Sequence, residues 1–156
     1  MITVVHTEHV GRSREHTFDV VIRHQAQNHP LWEDEVLEVR SLDDIVGVGH
    51  RSAMVRREYG STREVVNRCV EYDDGRLAAY VHEAERPMGF SIRFAFEDDG
   101  PQACTITVTV TMTPHGPLVL MTPLLRLGGP RRSARISRRM REVVESTPRY
   151  RPSYGG

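Results

Sequence analysis

The chain has 156 residues, 38 % of them hydrophobic and 27 % charged, which is the length and composition of one globular domain able to bury a core without metal or disulfide staples. No window approaches the roughly 18 consecutive apolar residues of a spanning helix, and Met1-Ile2-Thr3-Val4-Val5 lacks the basic-then-apolar layout of a secretory signal, so a cytoplasmic location is expected. Net charge is zero but uneven: residues 1–125 carry a balance of −7 and residues 126–156 a balance of +7, which implies mutual attraction inside the fold.

All 21 basic residues are arginine, consistent with GC-rich coding. The two cysteines, Cys69 and Cys104, each fall inside a predicted strand, as small core thiols do.

Alternation over residues 2–9 predicts a first strand, ended by Gly11. Ser13 is placed to cap a helix starting at Arg14, with Phe18, Val21 and Ile22 on one face. Asn28-His29-Pro30 predicts a break, because a residue before proline is pushed out of the helical region. From Val36 the period is two. Strands are predicted over Val36–Arg40, His50–Tyr59, Thr62–Tyr72 and Leu77–Glu83, then around Phe90–Phe96 and Cys104–Thr113. Asp73-Asp74-Gly75 and Asp98-Asp99-Gly100-Pro101 are turn signals between them. The run Cys104, Ile106, Val108, Val110, Met112 against threonines describes an antiparallel strand with one apolar and one wet face. After Pro114 the period becomes helical through Ser146, with a bend expected at Gly128-Gly129-Pro130. Residues 1–147 then form one domain and 148–156 a flexible tail. The fold class is α+β: a curved antiparallel sheet of six to seven strands wrapped around a long C-terminal helix, with two short helices after the first strand.

Phe18-Asp19-Val20-Val21, Pro30-Leu31-Trp32, Val36–Arg40 and Gly47-Val48-Gly49 follow one another in an order that resembles a known family. The order continues with Val70-Glu71-Tyr72-Asp73, Arg76–Tyr80, Phe94-Ala95-Phe96-Glu97, Thr105–Thr113 and Pro123-Leu124-Leu125-Arg126. Over residues 2–146 the chain resembles the SRPBCC (START-like) superfamily, in its polyketide cyclase/dehydrase branch. The resemblance implies a helix-grip fold with a cavity between sheet and final helix. It implies binding of an apolar, polyketide- or lipid-like small molecule, or a cyclase/aromatase-type enzyme using the same cavity. It carries no universal catalytic motif, and fold alone does not fix function.

On that fold the expected ligand-binding residues are Trp32, Met54, Arg68, Phe90, Phe94, Met112, Met121 and Leu125. His50, His82 and Tyr80 are the candidates for acid–base work. The facing of strand 62–72 stays open: if Val66, Val70 and Tyr72 point inward, so does Arg68, with Glu64 as partner. Arg126 and Arg132 are the arginines expected to turn inward and hold a ligand carboxylate or phosphate. The eight histidines show no metal-protease spacing, and phosphate-loop, dinucleotide and nucleophile-elbow patterns are absent; no metal and no cofactor are expected. The arginine-rich last helix raises a third reading, a non-catalytic interaction module, although no aromatic interleaving supports nucleic acid. The expected partners are a small apolar molecule, no nucleic acid, no stable membrane insertion, and at most a second copy of the chain.

Overall fold

The computed structural model describes residues 1–58 and 60–150. Strand β1 (Ile2–Val10) leads to α1 (Arg14–Phe18), a π-helical turn (Asp19–Arg23) and α2 (Gln25–Trp32). Six strands follow: β2 (Val36–Ser41), β3 (Arg51–Glu58), β4 (Ser61–Asp73), β5 (Leu77–His82), β6 (Met88–Asp98) and β7 (Cys104–Pro114). A 3-10 turn (Gly116–Met121) then enters the long helix α3 (Thr122–Ser146). Among these residues no helix is long and apolar enough to cross a membrane.

The seven strands form one antiparallel sheet in the order β1-β7-β6-β5-β4-β3-β2. Consecutive strands β2 to β7 are hairpin neighbours, and β1 closes onto β7, so the first and second strands end on opposite edges. The chain crosses between those edges through α1, the π-turn and α2. This is the expected helix-grip architecture. Ser13 caps α1 as expected, its hydroxyl accepting from the His16 N–H at 3.2 Å. The threonine face of β7 is also as expected: Thr111 and Thr107 lie at 3.5 and 3.4 Å from Thr3 and Thr7 on β1.

Two breaks fall elsewhere than predicted. The early helix is interrupted not at Asn28–Pro30 but at the π-turn and His24, where φ is −114°. Helix α2 runs through Pro30, and the Asn28 amide turns inward to donate to Val20 O at 3.0 Å and Tyr150 Oη at 2.7 Å. The second expected break, at Gly128-Gly129-Pro130, does not interrupt α3. A Cβ on Gly129 would stand 3.3 Å from Val4 Cγ2 and 3.6 Å from Met112 Cε, so this glycine lets α3 approach β1 and β7 closely.

The closed end of the grip is dense. Phe18, Val20 and Val21 on the early helices meet Phe96, Ile106, Met140 and Val144, all nearly or fully out of water. Phe18 packs edge-on to Phe96 with ring centroids 5.2 Å apart. Burial of each such side chain contributes about 1.5–3 kcal/mol. Cys69 and Cys104 are free, buried members of this core. Beyond α3, the Tyr150 ring stacks on His24 at 3.6 Å, so packing reaches the end of the described chain. The rest of the predicted tail, 151–156, and the Tyr59 end of the third predicted strand lie outside the described residues.

The charge asymmetry resolves into contacts. Acidic residues after α2 meet basic residues of α3: Arg139 reaches Asp34 at 2.9 Å, and Arg132 reaches Glu33 at 3.3 Å and also Glu35. Farther along, Arg141 reaches Glu8 on β1 at 3.6 Å.

Candidate functional site

The inner stripe of α3 changes character along its length. Toward the C-terminus it carries Met140 and Val144, which fill the space against the sheet. Toward the N-terminus the helix presents Gly128, Ser133 and Ser137, which do not, beside Gly129 at its close approach to β1 and β7. Small residues there leave a cavity of about 470 Å³ between α3 and the concave sheet face, within the range of small-molecule sites.

Its wall is mainly apolar. Val108, Val110 and Met112 contribute from β7, Phe90, Ile92 and Phe94 from β6, Met54 and Val65 from β3 and β4, and Trp32 from α2. Leu124 and Leu125 stand at the start of α3, where Leu124 is largely exposed and marks the side open to solvent.

At one end lies a charged cluster that sequence reasoning did not find. Glu33, at the end of α2, accepts from Arg56 Nη2 at 2.7 Å and His29 Nε2 at 2.9 Å, and lies 3.3 Å from Arg132. Arg56 also donates to Glu58 at 3.3 Å, and Arg63 lies 3.6 Å from Glu58. Burial alone would raise the Glu33 carboxyl; the His29 bond and the Arg56 charge outweigh it and hold it well below the usual carboxylate range. These residues come from α2, β3, the β3–β4 hairpin and α3, so no local spacing announces them.

A second polar group sits in mid-wall. Asn67 on β4 and His82 on β5 are directly opposed in the ladder, and Tyr80 precedes His82 on the same face. The His82 ring leans on Phe90, with centroids 4.5 Å apart. Burial pushes His82 down to about 4, with the Arg56 charge acting in the same direction, so its imidazole is neutral at pH 7. Burial raises the Tyr80 hydroxyl above its ordinary range and keeps it protonated.

Of the residues singled out from sequence, Trp32, Met54, Phe90, Phe94, Met112, Leu125, Tyr80 and His82 line this cavity. The others do not. Arg68 is exposed on the convex face, because β4 turns Val65, Asn67 and Cys69 inward. A bulge between Cys69 and Glu71 then shifts the parity, so that Tyr72 also faces the core while Val70 stays outside. The conditional reading that tied Arg68 to Tyr72 assumed an unbroken alternation. Its proposed partner Glu64 pairs with Arg40 at 3.0 Å instead. His50 lies in the loop before β3, its Nδ1 2.8 Å from Asp43 and its Nε2 3.3 Å from Ser41, away from the cavity. Met121 lies in the 3-10 turn and points to solvent. Arg126 is exposed on α3 and does not line the cavity, while Arg132 lines it but turns to Glu33 and Glu35.

No family model and no curated protein matches the chain. Solved structures do match it over most of its length. A START superfamily protein from Mycobacterium smegmatis is 14 % identical with a TM-score of 0.75, covering 92 % of this chain and 97 % of that one. A truncated norcoclaurine synthase from Thalictrum flavum is 15 % identical with a TM-score of 0.69, covering 94 % and 95 %. The Zhui aromatase/cyclase from a Streptomyces strain is 14 % identical with a TM-score of 0.67, covering 99 % of both chains. Sheet order, the two early helices, the long gripping helix and these likenesses together establish that the chain has the START-like (SRPBCC) helix-grip fold.

Proposed function

We propose that the chain binds a largely apolar small molecule, polyketide- or lipid-like in character, in the cavity between α3 and the sheet. The observation that supports this is the 470 Å³ space itself, walled by aromatic, methionine and branched side chains where the helix stripe loses its large residues. Apolar burial at roughly 25 cal/mol per Å², less the cost of immobilising the ligand, supplies the affinity. Methionines Met54, Met88 and Met112 give the wall some adaptability. The test is native mass spectrometry of freshly purified protein against its denatured mass, joined to titration with the neutral fluorophore N-phenyl-1-naphthylamine. A retained adduct or saturable fluorescence enhancement is expected. The absence of both an adduct and saturable binding would remove the proposal.

A second reading is an enzyme of cyclase/aromatase type using the same cavity. It draws on Tyr80 and His82 facing that space, and on one structural neighbour being an aromatase/cyclase. An imidazole with its pKa near 4 is a weak base at pH 7, so catalysis would rest on carbonyl polarisation by the Tyr80 hydroxyl rather than on proton abstraction by His82. Turnover of a poly-β-keto substrate surviving Tyr80→Phe and His82→Ala would reject this assignment. Docking through the arginine-rich helix has less support, since Arg132, Arg139 and Arg141 pair with acids of the same chain.

A further inference from the structure

The cavity holds two sets of polar groups, and they differ in what they leave free. Every arginine that lines it already has a carboxylate from the protein: Arg56 has Glu33 at 2.7 Å, Arg63 has Glu58 at 3.6 Å, and Arg132 has Glu33 at 3.3 Å. Glu33 is in turn met by His29 at 2.9 Å. A ligand carboxylate or phosphate placed there would displace a buried glutamate from its own partners. At Glu33 and Arg56, whose side chains keep only 11 % and 12 % of their surface in water, that leaves one negative charge too many.

Asn67, Tyr80 and His82 are the opposite case. Their side chains line the cavity, and none of them makes a hydrogen bond to another described side chain or backbone group through its amide, hydroxyl or ring nitrogens. Asn67 and His82 are directly opposed on β4 and β5, which sets their Cβ atoms about 5 Å apart. Tyr80 is two residues from His82, about 7 Å along the strand. Together they offer an amide, a hydroxyl and a neutral imidazole, each able to donate or accept. The Phe90 ring packs on the His82 ring at 4.5 Å between centroids and 30° between planes, a contact that favours one orientation of the imidazole.

We propose that Asn67, Tyr80 and His82 form a neutral hydrogen-bonding subsite for an uncharged oxygen of the ligand, a ketone, alcohol or phenol, and that the paired arginines at the cavity end disfavour an anionic headgroup. This rests on the cavity being a binding site. It narrows the ligand from any apolar molecule to an oxygenated, uncharged one with its polar atom in mid-body, as opposed to a free fatty acid or an acyl phosphate.

The test uses three probes of one shape: 2-naphthol, 2-methylnaphthalene and 2-naphthoate, each titrated by displacement of N-phenyl-1-naphthylamine. The expected order is 2-naphthol tightest, about tenfold over 2-methylnaphthalene, which is the scale of one or two net hydrogen bonds, with 2-naphthoate weakest. The triple variant Asn67→Leu/Tyr80→Phe/His82→Phe should bring naphthol down to methylnaphthalene while methylnaphthalene affinity holds or improves. Should the triple variant lose its fold by circular dichroism, Asn67→Leu alone should still cut the ratio at least threefold. Equal binding of naphthol and methylnaphthalene by the wild type overturns the subsite and leaves the cavity standing. Tightest binding of naphthoate overturns the exclusion of anions. Failure of the fluorophore and all three probes removes the cavity reading and the subsite with it.

Discussion

Arg56 Nη2 donates to Glu33 Oε1 at 2.7 Å, and the two side chains keep only 12 % and 11 % of their surface in contact with solvent. The pair joins the end of α2 to β3 and, through Arg132, to α3, so it fastens the charged end of the cavity from three sides. Removing one member strands the other charge out of water. Glu33→Met or Arg56→Met should each cost about 3–5 kcal/mol, and the double variant Glu33→Met/Arg56→Met should cost clearly less than the sum. Urea unfolding of the four-member cycle measures this; additivity within about 0.5 kcal/mol would show the pair to be uncoupled.

Acid should weaken the fold in two windows. His82 has its folded pKa lowered from 6.5 to about 4, so its stabilising contribution is complete above 6.5 and declines as pH falls toward 4. The charged groups around it are Arg56, Glu58, Arg63 and Glu33. Glu33 is also held low, so its contribution is present above its ordinary 4.5 and is lost below that. His16, lowered by burial, adds to the first window. His82→Phe should therefore flatten, without abolishing, the fall of Tm between pH 6.5 and 4.5. A wild-type Tm that is level over that range would contradict the buried neutral state of both histidines.

Neighbouring glycines of α3 should respond in opposite ways. At Gly128 a Cβ would meet nothing within 4 Å, so Gly128→Ala gains helix propensity, about 1 kcal/mol or 2–4 °C in Tm. At Gly129 the Cβ position is already 3.3 Å from Val4 Cγ2, so Gly129→Leu should push α3 off β1 and cost about 1–3 kcal/mol. Calorimetry on the two variants decides; equal shifts would mean that α3 does not approach β1 closely at this point.

Filling the cavity should separate binding from folding. Ser133 lines it on the helix side. Ser133→Phe should reduce N-phenyl-1-naphthylamine affinity at least tenfold with Tm unchanged or raised, since a void gains packing contacts. Undiminished fluorophore binding by a folded Ser133→Phe protein would put the probe elsewhere.

Period-two runs, the Ser13 cap and the Asp73-Asp74-Gly75 turn could be read from the residues because they depend on neighbours in the chain. So could much of the apolar wall: on a helix-grip sheet the residues that look like core, Trp32, Met54, Phe90, Phe94 and Met112, are also those that face the cavity. The rest hinged on contacts between distant segments. One inserted residue between Cys69 and Glu71 shifted the parity of β4 beyond Cys69, so Tyr72 faces the core although Arg68 faces outward and Asn67 inward. His50 is drawn into its own loop by Asp43. The Glu33–Arg56–Arg132 cluster gathers side chains up to 99 residues apart in sequence. The cavity itself exists because α3 presents the small residues Gly128, Ser133 and Ser137 where it faces the concave sheet. Local periodicity carries no information about which charges will meet or how far a helix stands from a sheet; those follow from how the closed chain packs and from which charges burial forces to find partners.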